Sequence, residues 1–103
     1  MIILGIDPGV AIIGYGIIRY ERGRAVTLAH GAITTPAHTD LATRLSMIHR
    51  DLTDLVAMYR PDEAAVEELF FNTNITTGIA VAEARGVILL TLHENGVACY
   101  EYT

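Results

Sequence analysis

Ile2-Ile3-Leu4-Gly5-Ile6-Asp7-Pro8-Gly9 is the stretch that decides the fold. Its unbroken apolar run reads as a strand buried on both faces, the pattern of a central strand in an α/β sheet. The run ends on a carboxylate, and Pro8 and Gly9 stop the strand just after it. Asp7 therefore stands at the mouth of a sheet, where open α/β folds bind ligands. An ionised carboxylate taken out of water is costly unless a cation or a fan of N–H donors meets it. Ala64-Ala65-Val66-Glu67-Glu68 repeats the device later in the chain. If the two strands are parallel neighbours, their backbones lie about 4.8 Å apart, and Asp7 and Glu67 can share one divalent ion.

Working outward from that strand, Ile12 to Tyr20 is apolar, β-branched and aromatic. Glu21-Arg22-Gly23-Arg24 turns the chain, and Ala25 to Ile33 resumes the pattern, which makes a β-hairpin. After a loop with Pro36 the period changes. Leu41, Leu45, Ile48, Leu52, Leu55, Val56 and Tyr59 recur at steps of three and four, predicting an amphipathic helix of about five turns, with Asp40 as N-cap and Pro61 as the stop. A fourth strand over Glu63 to Leu69 leads through Phe70-Phe71-Asn72 to a second helix, from about Thr73 to Asn95, ended by Gly96. Val97 to Tyr102 alternates as a fifth strand at or near a sheet edge. The order is β-β-β-α-β-α-β. Strand one in the middle, with strand four beside it in parallel, gives a five-stranded mixed α/β sheet flanked by helices.

The chain has 103 residues, 51% of them hydrophobic, which is enough for one small domain with a modest core. No apolar run approaches the ~20 residues of a membrane helix, and Asp7 interrupts any leader-like segment. The single Cys99 excludes an internal disulfide framework, so a reducing cytoplasm is the expected compartment. The net charge is −5 and there is no lysine, which argues against tight nucleic-acid binding by this stretch alone. Only Arg19, Arg22 and Arg24 cluster, around the hairpin turn.

Asp7 and Glu67 are the strongest candidates for chemistry, because hard oxygen ligands suit Mg²⁺ or Mn²⁺. The plainer alternative has Asp7 capping its own turn around Gly9. Strand alternation sends Glu67 and Glu68 to opposite faces, so the two cannot ligate in the same way. Phe70 and Phe71 sit at the rim, suited to stacking on a base or to filling the core. His30, His38, His49 and His93 show no ligand spacing. Gly14-Tyr15-Gly16 lacks the third glycine of a dinucleotide fingerprint, and Ser46 lies within a helix, which argues against a serine triad. Gly78, Ala82 and Gly86 fall on one face of the second helix. Glycine there costs about 1 kcal/mol relative to alanine, so close packing against the sheet or a partner subunit must offset it.

Ile3-Leu4-Gly5-Ile6-Asp7-Pro8-Gly9, Gly14-Tyr15-Gly16, Arg60-Pro61-Asp62 leading into Val66-Glu67-Glu68-Leu69-Phe70, Ala84-Arg85-Gly86 and Tyr100-Glu101-Tyr102 together resemble the RuvC family of Holliday junction resolvases. The likeness is colinear over the whole chain. It implies a ribonuclease H-like fold and a homodimer that cuts four-way junction DNA symmetrically, with RuvA and RuvB as partners. It also implies two-metal Mg²⁺ chemistry, with Asp7 as the bridging ligand and Glu67 as a second. Phe70, with Phe71 and Asn72 beside it, corresponds to the DNA-contacting segment, and Gly78, Ala82 and Gly86 to a candidate dimer surface.

Resolvases of this family continue to a final helix that carries further acidic ligands after a basic segment. The chain is accordingly expected to be a single domain over residues 1–103 matching the amino-terminal part of a resolvase, and inactive alone. Three other readings stay open on the residues: a YqgF-like nuclease acting on RNA, a phosphate-binding lobe of an actin-like ATPase, and a dimerisation module without catalysis.

Overall fold

The computed structural model describes residues 1–68 and 75–103. The described elements are β1 (Ile2–Asp7), β2 (Ile12–Glu21), β3 (Arg24–Thr34), α1 (Leu41–Tyr59), β4 (Glu63–Glu67), α2 (Ile75–Glu94) and β5 (Ala98–Tyr102). They form one sheet in the order β3-β2-β1-β4-β5. β1 pairs antiparallel with β2 and parallel with β4, which in turn pairs parallel with β5. The predicted element order and the central place of the first strand are both observed.

The hairpin turn is tighter than expected. Arg22 and Gly23 alone form it, at φ 52° and 75°, the paired left-handed conformation that suits the twist of a two-residue hairpin. β4 ends at Glu67, level with the last residues of β1, Asp7, and of β5, Tyr102; Leu69, expected within this strand, lies outside the described residues.

α1 begins where Asp40 accepts from the Thr43 N–H at 3.0 Å and from the Thr43 hydroxyl at 2.7 Å. The Thr43 side chain first, and its N–H second, hold the Asp40 carboxyl below its usual range. The helix ends at Arg60, which is left-handed at φ 48° and donates its N–H to the Val56 carbonyl just before Pro61. α2 closes with Gly96 at φ 72°, donating to the His93 carbonyl, while Val97 donates to the Leu92 carbonyl. That pair of bonds is a Schellman cap, and it tucks Val97 into the core.

Both helices cover one face of the sheet. Leu4, Ile6, Ile13, Ile17, Ala64 and Val66 from the strands form one core with Ile48, Leu52 and Val56 of α1 and Ala84, Ile88 and Leu92 of α2. Thr91 stitches the helices together: its hydroxyl donates to the Val87 carbonyl at 2.7 Å and meets His49 Nδ1 at 2.8 Å. Having spent its proton on Val87, it takes one from His49, so Nδ1 is the protonated nitrogen.

The reading of β1 as buried on both faces is corrected here. Leu4 and Ile6 are buried, but Ile3 and Gly5 on the other face are only half-buried and Asp7 is exposed, because both helices pack on the same side. Among the described residues no helix is long and apolar enough to cross a membrane.

Candidate active site

The site begins at the opposite end of β1. Asp62 accepts the Ile2 N–H on its carboxylate at 2.7 Å and donates its own N–H to the Ile2 carbonyl at 2.8 Å. These two hydrogen bonds pin the start of β4 to the start of β1 and set their register, with Ile3 beside Glu63 and Ile6 beside Val66. The next residue of each strand, Asp7 and Glu67, therefore arrives at the same level. By strand alternation both face away from the helix-covered core.

The Glu67 pKa is raised above its ordinary 4.5, first by a side-chain hydrogen bond with Asp7, second by the negative charge of Asp7 and last by burial. Two carboxylates set side by side repel each other when both are ionised. A divalent cation removes the conflict, and two oxygen ligands from rigid strands suit a hard ion such as Mg²⁺ or Mn²⁺. Among the described residues no group of three or more His, Cys, Asp and Glu is placed to hold a metal.

Gly14 of β2 pairs with Asp7, and a Cβ there would lie 3.8 Å from that of Asp7, so Gly14 itself puts no side chain on that flank of the exposed Asp7. Gly9 shapes the turn that follows, since a Cβ there would run into the Ile12 carbonyl oxygen. Thr35 holds the same turn by donating to the Val10 carbonyl at 2.6 Å, and Arg44 Nε donates to the Thr35 hydroxyl at 2.9 Å. Val10, Ala11, Arg44, Thr77 and Val81 line a cleft of about 450 Å³ beside it.

Arg85 of α2 closes the other flank. Its Nη2 lies 2.7 Å from Glu101 Oε1, and its Nε donates to the Glu67 carbonyl at 3.2 Å. Asp62 and Arg85 stand in the sequence as parts of motifs without an assigned role. Their partners are distant in the chain, and the usable signal is an arginine in the middle of a helix whose neighbouring residues are mostly apolar.

The structure thus brings Asp7 and Glu67 together. Phe70, Phe71 and Asn72 lie outside the described residues. Ala82 and Gly78 are half-buried along α2, away from the core position of Ala84, and Gly86 is exposed, with nothing within 4 Å of where its Cβ would stand. Packing against the sheet does not offset the helical cost of Gly86.

Residues 3–103 match the family described as crossover junction endodeoxyribonuclease RuvC. The chain belongs to the RuvC family. RuvC of Heliobacterium modesticaldum is 55% identical over 102 residues, which cover 99% of this chain and 63% of that protein. RuvC of Clostridioides difficile is 50% identical over 103 residues, covering 100% of this chain and 61% of that one. Thermus thermophilus RuvC, solved in complex with a Holliday junction substrate, matches with a TM-score of 0.90 at 30% identity, over 99% of this chain and 65% of its own. The five-stranded mixed sheet is therefore the ribonuclease H-like sheet of RuvC. This chain spans 61–63% of the length of these two sequence relatives.

Proposed function

We propose that this chain supplies two of the metal-binding carboxylates of a RuvC-type endonuclease acting on four-way junction DNA in recombination and repair. The observation that carries the reading is the Asp7–Glu67 pair, held level at the ends of adjacent parallel strands, with Asp7 raising the Glu67 pKa. Asp7, on the central strand, is the bridging ligand and Glu67 a second ligand, for Mg²⁺ with Mn²⁺ as substitute and two ions in the complete site. Bound ions of this kind polarise the phosphodiester and provide a nucleophilic hydroxide at neutral pH. The chain's own residues contribute placement: Asp62 sets the register, Gly14 leaves the approach clear, and Arg44 offers a cation in the neighbouring cleft, where a sugar-phosphate strand can lie.

Phe70, followed by Phe71 and Asn72, is proposed to contact bases at the crossover, supported by its place directly after the Glu67 segment. A homodimer through Gly78, Ala82 and Gly86 of α2 is proposed because this helix is apolar on its outer side too: Ile79 and Leu90 are 52% and 57% exposed, and Gly86 leaves room for a close approach. RuvA and RuvB as partners at the junction, and the bacterial cytoplasm as compartment, belong to the same reading.

The test extends the chain at its carboxyl end with the corresponding segment of the Heliobacterium relative and supplies a synthetic four-way DNA junction. Mg²⁺-dependent paired nicks that Asp7→Asn and Glu67→Gln each abolish are expected. Equal or better cleavage of structured RNA overturns the DNA assignment.

A further inference from the structure

We propose that Arg85 is a positioning residue for Glu67, clamping the backbone at the end of β4 so that the Glu67 carboxylate stays beside Asp7. The inference rests on the reading of Asp7 and Glu67 as a metal-binding pair and adds a residue that touches neither metal nor substrate.

Three observations support it. The Arg85 side chain is 16% exposed, and such a cation tolerates desolvation only when its donors are matched. It spends one edge on Glu101 of β5 and its Nε–H on the Glu67 main chain, so a single planar group joins α2, β4 and β5. Because the guanidinium is rigid, fixing Nη2 on Glu101 fixes the direction of Nε. A lysine has one donor point and cannot hold both partners in the same way.

The second observation is where the clamp falls. Glu67 is the last residue of its strand, and Asp7 beside it is followed by Pro8, which has no N–H to extend the ladder. On the β5 side the Glu68 N–H donates to the Tyr102 carbonyl at 2.5 Å. With Arg85 on the Glu67 carbonyl, the peptide group after Glu67 is held at both its oxygen and its nitrogen. That leaves the Cα–Cβ direction of Glu67 little freedom.

The third is the level of the pair. Asp7 and Glu67 end adjacent parallel strands one step beyond the Ile6–Val66 pairing, so the direction in which the end of β4 aims Glu67 sets its separation from Asp7. Partners one layer behind a ligand act in this way on metal affinity.

The experiment titrates Mn²⁺ into the full chain and reads free Mn²⁺ by electron paramagnetic resonance, with melting temperature recorded on the same samples. The variants are Asp7→Asn, Arg85→Met, Arg85→Lys, Glu101→Gln and Thr91→Val. Arg85→Met is expected to weaken Mn²⁺ binding about 10-fold or more. Arg85→Lys should recover only part of that loss. Glu101→Gln keeps an acceptor for Nη2 and should lose less than Arg85→Met; it also keeps the test readable should Arg85→Met melt too low. Thr91→Val, which breaks the α1–α2 stitch far along the helix, should lower the melting temperature and leave Mn²⁺ affinity unchanged. Wild-type affinity in Arg85→Met, or a loss no larger than that of Thr91→Val at equal destabilisation, overturns the positioning role. A wild-type titration indistinguishable from Asp7→Asn instead overturns the metal-pair reading, and the positioning role with it.

Discussion

The two faces of the central strands are built to opposite specifications. On the helix-covered face, Leu4, Ile17 and Ala64 form one row and Ile6 and Val66 the next, all buried in the common core. On the other face the matching rows are Gly16, Gly5 and Ala65, then Gly14, Asp7 and Glu67. One face carries bulk that excludes water. The other has small residues leading up to two acids that repel each other. The same backbone serves both because side chains alternate with a period of two along every strand. The contrast teaches that stability and chemistry are separable here, residue by residue, within a single strand.

The largest effect should come from the covered face. Ile17→Ala removes a fully buried side chain and is expected to cost about 2–5 kcal/mol, read as a fall in melting temperature or denaturant midpoint, with any Mg²⁺ response preserved. A cost near zero would mean that the core closes readily over the gap and the two faces are less distinct than they look.

The acid row should behave in the reverse sense. With Mg²⁺ at ten times its dissociation constant, mass action stabilises the wild-type fold by about 1.4 kcal/mol. Asp7→Asn should abolish that gain in a thermal-shift titration while leaving metal-free stability equal or higher. Retention of the full gain in Asp7→Asn would detach the metal from this face.

The closeness of the two acids gives a pH signature. Glu67 has its pKa raised in the fold, first by the hydrogen bond to Asp7. Its contribution is therefore complete below its unfolded value of 4.5 and is lost as pH rises through the raised value. Metal-free melting temperatures should fall across that window, and Glu67→Gln, a neutral donor at every pH, should flatten the fall. Asp40 has the opposite sign: its pKa is lowered, so its contribution is present above its unfolded 3.8 and lost as pH drops through the lowered value. Melts in a chelating buffer across the acid range separate the two slopes.

The smallest effect should come from the small-residue row. A Cβ at Gly16 would meet nothing within 4 Å, so Gly16→Ala should stabilise the chain by about 0.4–1 kcal/mol through a less flexible unfolded state. A loss in its place would show that something packs on the open face in solution, and sedimentation of the same variant would reveal whether that something is a second copy.

Much of this was legible in the chain itself. The two periodicities separated strands from helices, Asp40 and Gly96 marked helix ends by side-chain and backbone preferences that act over a few residues, and two apolar runs ending in acids pointed to Asp7 and Glu67. Such signals are local, since a residue's neighbours within a turn decide them. Tertiary structure alone decided that both helices share one face, so that Asp7 is exposed at a site whose burial the apolar run suggested. It also decided that Asp62 sets the register that levels the acids, and that Arg85 reaches from α2 to Glu101 and the Glu67 carbonyl. These depend on pairings between segments far apart in sequence, whose partners no local pattern encodes.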